Sequence, residues 1–316
     1  MTPPLLRLGT RGSPLALAQA GELRNWLEAA HEELAEPGAI ETIVIRTSGD
    51  AMADRNLSEE GGKGLFTKEI EEALLAGAID LAVHSMKDVT AGLPKGLAIS
   101  CLLPRADPRD ALVSAKATSL KSLPENATLG TNSLRRQALA LFARRDLKIV
   151  PLRGNVGTRL DKLRSGGIDA TILSVAGLRR LGLASHIAAI LEPGEMLPAP
   201  AQGAIGVEIR GNDAKARRFL EPLNDRSTET CVNAERAVLT ALGGDCRTPL
   251  GALAKIAGGR LVLDALVIRP DGSERVAVRR EGSPKDAAAL GADAGDELKA
   301  RAGADFLGML AGKAGR

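Results

Sequence analysis

The chain has no tyrosine, one tryptophan and four phenylalanines in 316 residues. A core so poor in rings must be packed from Ala, Val, Leu and Ile. With 35 glycines interleaved, that composition suits a sheet covered by closely approaching helices. The same shortage leaves little for nucleobases to stack on, so no nucleic-acid partner is expected. Cysteine is also scarce. Cys101, Cys231 and Cys246 are an odd number with no two-residue spacing between any pair, which argues against a disulfide framework, a zinc site and a dithiol redox pair. If any cysteine matters, it matters alone.

No window approaches the ~18 to 20 apolar residues needed to cross a bilayer. The N-terminus has Arg7 and Arg11 among short apolar stretches and lacks the apolar region of a signal peptide. A cytoplasmic protein with no membrane partner is expected. His31, His84 and His186 stand apart rather than at metal-binding spacing, and no metal is expected. Gly61-Gly62-Lys63-Gly64 looks like the end of a phosphate loop but fails the pattern. Leu57 stands where its first glycine belongs, and Gly64 where Ser or Thr should follow the lysine.

What is present is a charge asymmetry. The net charge is only +3, yet Thr131 to Arg180 holds nine Arg and two Lys against three Asp, a balance of +8 against −5 for the rest. A block this basic implies an anionic partner or a solvated basic face. The excess of Arg over Lys favours an acidic ligand, because a planar guanidinium matches carboxylates and phosphates with two parallel hydrogen bonds.

The first two thirds alternate apolar runs with helical patterns, which predicts an α/β architecture of parallel sheets with crossover helices. Strands are expected at Leu5 to Gly9, Ile40 to Arg46 and Ile79 to His84. A helix capped by Ser13 with Pro14 at its first position is expected to run to about Leu34, and another spans Leu65 to Ala76. Between them, Ser48 to Gly64 is a polar stretch expected to act as a lid or to be disordered. A second set follows, with strands at Ala111 to Ser114, Ala127 to Gly130, Lys148 to Leu152 and Asp169 to Leu173. Helices fill the gaps at Ser133 to Arg145, Val156 to Arg164 and Val175 to Leu181. The chain leaves one lobe through Pro104 to Pro108 and returns through Pro198 to Pro200 into a strand at Ala204 to Ile209. That path predicts a two-crossover hinge with a ligand held between two lobes. After Asn224 the pattern becomes a small α+β domain with a three-stranded antiparallel sheet, its last hairpin turning at Pro270-Asp271-Gly272.

Three segments place polar groups where a parallel strand ends, the edge at which open α/β sheets bind ligands. Val83-His84-Ser85-Met86-Lys87-Asp88-Val89 is the first. Thr131-Asn132-Ser133-Leu134-Arg135-Arg136 and Arg153-Gly154-Asn155-Val156-Gly157-Thr158-Arg159 are the others, and each opens a helix whose free backbone donors, reinforced by arginine, suit an anion. Cys246 lies in Gly243-Gly244-Asp245-Cys246-Arg247-Thr248-Pro249, where the neighbouring arginine favours the thiolate. Cys101 and Cys231 are read as core.

Together with Arg11 to Leu15, Gly61 to Phe66 and Pro200 to Ala204, these motifs occur in the order found in the porphobilinogen deaminase (hydroxymethylbilane synthase) family, which the chain resembles from about Leu5 into its last domain. The resemblance implies two lobes similar to periplasmic binding proteins, residues 1–103 with 204–221 and residues 109–197, followed by a third domain at 226–316. It implies a monomeric transferase of tetrapyrrole, and so haem, biosynthesis that condenses four porphobilinogen molecules with loss of ammonia and frees the product by hydrolysis. It implies a dipyrromethane cofactor joined to Cys246 by a thioether, with Asp88 as the catalytic carboxylate. Cofactor contacts carry over to Ser85, Lys87, Thr131, Ser133, Arg135, Arg136 and Arg159. Substrate contacts carry over to Arg11, Ser13, Lys63, Arg153, Arg180 and Gln202. Every pyrrole brings an acetate and a propionate, which accounts for the arginines. The chain departs from the family pattern at Thr90, Asn132, Ala201, Asp245 and Arg247. Two rival readings are a non-catalytic two-lobed binding protein for an anionic small molecule, which leaves Cys246 without a purpose, and a basic nucleic-acid binder, which the missing aromatics disfavour.

Overall fold

The computed structural model describes residues 3–51, 67–244 and 248–310. The chain divides into two compact units, residues 1–106 with 204–229 and residues 107–203 with 230–316. The first begins with β1 (Leu6–Arg11), α1 (Pro14–Ala30), α2 (Glu32–Ala35), β2 (Ile40–Ile45), α3 (Ser48–Ala51), α4 (Lys68–Leu75), β3 (Leu81–Ser85) and β4 (Leu97–Leu102). The second unit begins with β5 (Asp110–Val113), β6 (Thr128–Gly130), α5 (Leu134–Ala143), β7 (Lys148–Val150), α6 (Val156–Arg164), β8 (Ala170–Ser174), α7 (Val175–Arg180) and β9 (Ala189–Leu191). The chain returns to the first unit with β10 (Ile205–Arg210) and α8 (Ala214–Leu220). It ends with α9 (Arg226–Ala241), which straddles the boundary, then β11 (Leu250–Ala257), β12 (Arg260–Ile268), β13 (Arg275–Gly282) and α10 (Ala287–Leu310).

Each unit has a five-stranded sheet with the same plan. The strand orders are β2-β1-β3-β10-β4 and β7-β6-β8-β5-β9. In both, three strands run parallel and a fourth lies antiparallel beside the third. The sheets are therefore mixed rather than purely parallel. β10 and β5 do not follow a crossover helix from the strand they join, so nothing in the connection forces them parallel. β11, β12 and β13 form the antiparallel sheet expected at the C-terminus.

Helix α1 shows how the sequence sets this arrangement. Ser13 Oγ accepts from Ala16 N at 3.3 Å, Pro14 takes the first helical position, and Ala16, Ala20, Leu23 and Leu27 turn inward onto Leu6, Leu8, Val83 and Val207. The helix stops at His31 instead of running to Leu34, because His31 adopts extended backbone while its Nε2 lies 2.9 Å from Phe219 O and its ring stands edge-on to Phe219. On the other face of the sheet, Ile70 and Leu74 of α4 pack on Ile79 and Ala82. In the second unit, Leu129, Leu139 and Ile172 share one core with Leu253, Leu266 and Ile268 of the C-terminal sheet. Cys101 and Cys231 are buried, and burial pushes the Cys101 thiol up to about 12, so it is not a thiolate nucleophile at neutral pH. Among the described residues no helix is long and apolar enough to cross a membrane.

The layer under α4 also holds charge. His84 Nε2 lies 3.0 Å from Glu208 Oε2, both side chains being buried, and Glu71 is buried nearby. Burial pushes the Glu71 carboxyl above its ordinary value of 4.5, and the charge of Glu208 adds to the rise. The folded chain therefore holds a proton that the unfolded chain has released, and the associated stability is lost as pH rises through the window above 4.5. Glu71→Gln is expected to raise Tm more at about pH 8 than at about pH 5. An equal change at both, followed by thermal unfolding, would contradict this.

Candidate functional site

In the first unit the carboxyl ends of the parallel strands β1, β2 and β3 lie along one sheet edge. Arg11 is the last residue of β1, and Ser13 follows as the cap of α1. Ser85 ends β3, and its Oγ accepts a hydrogen bond at 2.9 Å from Nε2 of Gln19, a buried polar residue on the inward face of α1. Met86, Lys87 and Asp88 then form a single 3-10 turn that Val89 N closes on Met86 O at 3.3 Å. Met86 is buried, while Lys87 and Asp88 are half-buried. The strand thus delivers a lysine and a carboxylate to the edge where its apolar run ends. Thr90, one of the departures from the family pattern, holds the next turn by donating to Gly92 O at 2.8 Å.

The turn is seated on β10. Met86 N donates to Ala204 O at 3.1 Å, and a Cβ on Gly206 would stand 2.0 Å from Met86 Sδ. Only glycine leaves room there.

In the second unit the same edge is built twice. Thr131 follows β6, its Oγ1 accepting from Ser133 N at 3.1 Å, and Ser133 caps α5. Arg153 follows β7, and Asn155 caps α6 by accepting from Thr158 N at 3.0 Å. Arg159 reaches back from the first turn of α6, its Nε donating to Gly154 O at 3.0 Å. Gly154 is required at this bend: its φ is +98°, and a Cβ would lie 2.8 Å from the side chain of Thr158. Asn132, where the family often has Ser or Ala, accepts from Leu152 N at 3.1 Å and so ties the ends of β6 and β7 together.

Arg135 and Arg136 are buried and surround Asp110, the first residue of β5. Burial alone would raise the Asp110 carboxyl, but the charges of Arg135 and Arg136 hold it well below the usual carboxylate range. Gln202 is buried beside them with Nε2 donating to Pro108 O at 2.8 Å and to Asp110 Oδ1 at 2.9 Å. Arg180 stands apart from this edge, at the last residue of α7, and donates to Gly203 O at 3.3 Å. Ala201, where the family often has Gly, has φ +59° and costs about 1 kcal/mol of strain. Its N–H is fixed to buried Glu235 Oε2 at 2.6 Å.

The motif at Gly61 to Phe66 with Lys63, and the residues Asp245, Cys246 and Arg247, lie outside the described residues, as does most of the expected lid. The flanks of the cysteine loop are described. Gly243 has φ +61°, and a Cβ on Gly244 would lie 2.7 Å from Thr248 Oγ1, so the two glycines let the chain turn tightly. Among the described residues no group of three or more His, Cys, Asp or Glu is placed to hold a metal ion. Asp110, Gln19 and Glu208 are not among the residues expected from the sequence. Asp110 did carry a signal, since an acid that opens a wholly buried apolar strand needs a partner.

Strand ends lined with capped helices and arginines form an α/β arrangement suited to anions, and comparison with known proteins makes the class specific. The family model described as "Porphobilinogen deaminase, dipyromethane cofactor binding domain" matches residues 6–218, and that described as "Porphobilinogen deaminase, C-terminal domain" matches residues 229–300. The porphobilinogen deaminase of Nitrobacter winogradskyi is 54% identical over 308 residues, 98% of this chain and 97% of that one. That of Paracoccus denitrificans is 52% identical over 96% of each chain, and the chloroplastic protein of Oryza sativa subsp. japonica is 50% identical over 97% of this chain and 86% of its own. Among solved structures, the methionine-binding protein MetQ is 13% identical with a TM-score of 0.43, covering 68% of this chain and 88% of its own. The chain belongs to the porphobilinogen deaminase family. It is a transferase, a hydroxymethylbilane synthase, that works with a dipyrromethane cofactor in tetrapyrrole biosynthesis.

The Gly206 to Met86 approach yields a test of how the Lys87–Asp88 turn is held. Gly206→Ala must displace Met86, and it is expected to lower kcat about tenfold or more by shifting Asp88, with the sheet intact by circular dichroism. Unchanged kcat would show that the turn does not depend on this seat.

Proposed function

We propose that the family activity is carried out here with Asp88 as the catalytic carboxylate and Cys246 as the cofactor tether, in a cytoplasmic monomer. Residues 226–316 form the domain that carries the tether, beside lobes 1–103 with 204–221 and 109–197. The activity joins four porphobilinogen molecules head to tail on the bound primer, releases ammonia at each step and ends with hydrolytic release of the linear tetrapyrrole. The carrying observation is that the polar residues of three motifs stand at the carboxyl ends of parallel strands, in a chain matched by the family along its length.

The residues present fit a dipyrromethane. Arg135 is buried with its Nε unpartnered among the described residues, and the Asp110 cluster carries more guanidinium than carboxylate, as a site for acidic side chains requires. Ser85, Lys87, Thr131, Ser133, Arg135, Arg136 and Arg159 would hold it. When bound, the cofactor supplies a terminal pyrrole for extension. Cys101 and Cys231 are buried, which leaves the tether role to Cys246. The thioether persists through the cycle, so this cysteine acts as an anchor and not as a nucleophile in turnover.

Asp88 has the chemistry the reaction needs. Loss of ammonia from porphobilinogen leaves a cation, and a carboxylate near the pyrrole N–H groups stabilises that charge as it develops. Joining two pyrroles leaves a proton to be removed, and the same carboxylate accepts it. Arg11, Ser13, Lys63, Arg153 and Arg180 would orient the incoming acetate and propionate. Gln202 contributes through Asp110, to which its amide is bonded.

The intact protein, made in a haem-producing host, is expected to exceed its sequence mass by one dipyrromethane, and Cys246→Ser to show the bare mass and no turnover. A wild-type chain at its bare mass would sink the tether assignment. Asp88→Asn should retain the adduct and lose about 100-fold or more in kcat. Full turnover in that variant would remove Asp88 from its role.

A further inference from the structure

Asp110 lies outside the motifs that carry the family resemblance, yet it organises two of their arginines. Its Oδ1 accepts from Arg136 Nε at 3.1 Å, from Arg136 Nη2 at 2.7 Å and from Gln202 Nε2 at 2.9 Å. Its Oδ2 stands 2.8 Å from Arg135 Nη1. Backbone carbonyls complete the clamp, with Arg135 Nη1 donating to Leu197 O at 2.7 Å and Arg136 Nη1 to Ile172 O at 2.9 Å. Asp110, Arg135 and Arg136 are 0%, 3% and 6% exposed.

The ratio of charges is informative. A structural ion pair needs one guanidinium per carboxylate, and burying a second guanidinium adds desolvation and repulsion that the fold has no reason to accept. Here two guanidiniums share one carboxylate, leaving a surplus of one positive charge in a buried setting. A donor is left over as well, since Arg135 Nε is buried without a hydrogen-bond partner among the described residues, as is Asp110 Oδ2, which meets Arg135 as an ion pair only. Surplus charge and an unused donor on the same side chain point to an anion.

We propose that Asp110 is a positioning residue for ligand binding: it fixes Arg135 and Arg136 side by side and neutralises one of their two charges, so that Arg135 presents the remaining charge to one carboxylate of the acidic ligand. The inference rests on the proposed function, in which these arginines hold cofactor carboxylates. Gln202 belongs to the same device. It joins Oδ1 to Pro108 O and so holds the carboxylate against the segment that leads into β5.

The test uses the full-length chain. Asp110→Asn keeps the shape of the side chain and removes its charge. Folded variant is expected to carry the dipyrromethane adduct in a smaller fraction of molecules, and the adduct-bearing fraction to show KM for porphobilinogen raised about tenfold or more with a much smaller change in kcat. A purely structural residue would lower Tm and yield while leaving adduct fraction and KM of the folded protein unchanged, and that result overturns the proposal. Should Asp110→Asn fail to fold, Gln202→Leu decides, because it removes a hydrogen bond to Oδ1 and leaves all three charges. A KM raised about threefold or more at similar kcat supports the proposal, and an unchanged KM overturns it. A wild-type chain with neither adduct nor turnover would instead count against the proposed function, and it is measured first.

Discussion

A protein that binds polycarboxylates must hold guanidiniums close together before the ligand arrives, and their mutual repulsion in a buried setting is the constraint on which the second unit depends. Asp110 answers it with one carboxylate between two arginines. A wholly neutralised cluster would have no attraction for an anion, and a wholly uncompensated one would be too costly to bury. The two-to-one ratio lies between these limits. The arginine block from Thr131 to Arg180 therefore does not act as one field. Arg144 pairs with Asp146 and donates to the carbonyls of Leu120, Lys121 and Leu123, which makes it a brace for that loop. Arg164 pairs with Asp161 and Arg179 with Asp107. What remains is smaller than the charge count: Arg135, Arg136, Arg153 and Arg159 stand beyond the ends of β6 and β7, and Arg180 at the end of α7.

The first unit solves a different problem, that of presenting one carboxylate at a fixed place. Asp88 lies three residues beyond the end of β3, in a single 3-10 turn. Met86 fills the space above Gly206, and Gln19 ties Ser85 to α1, so the turn is held by a close approach on one side and a buried amide on the other. Both supports follow from the antiparallel placement of β10 beside β3, with Gly206 opposite His84. The strand that makes each sheet mixed is thus also the strand that seats the site.

Much of this was legible in the sequence. Ser13-Pro14 starts α1 as expected, Val156 to Arg164 forms α6 with the expected limits, and the strand ends that carry Ser85 and Thr131 lie where apolar runs give way to polar residues. What could not be read depends on partners far away in sequence. The direction of β10 is set by its neighbours and not by its own residues, and β9, with three residues, is too short for a periodicity. The stop at His31 comes from Phe219, 188 positions later. The role of Asp110 is not legible locally, because the arginines that explain it lie 25 and 26 residues away in the first turn of α5.

The departure at Ala201 carries a further lesson about how the second unit is joined to its C-terminal part. A left-handed alanine persists only where the surroundings over-determine it, and here buried Glu235 of α9 accepts from both Ala201 N and Ala254 N of β11. The same seam passes Leu197. A Cβ on Gly251 would stand 3.0 Å from Leu197 O, the carbonyl that receives Arg135, and Ala252 N donates to Pro198 O at 2.9 Å. Gly251 comes two residues after Pro249, which closes the cysteine loop. The described flank of the cysteine loop is therefore connected to the arginine cluster through one carbonyl and one close approach, all within a single compact unit. The flank of the cysteine loop and the Asp110 cluster are in this way one structural property of the second unit, whereas Asp88 belongs to the other unit.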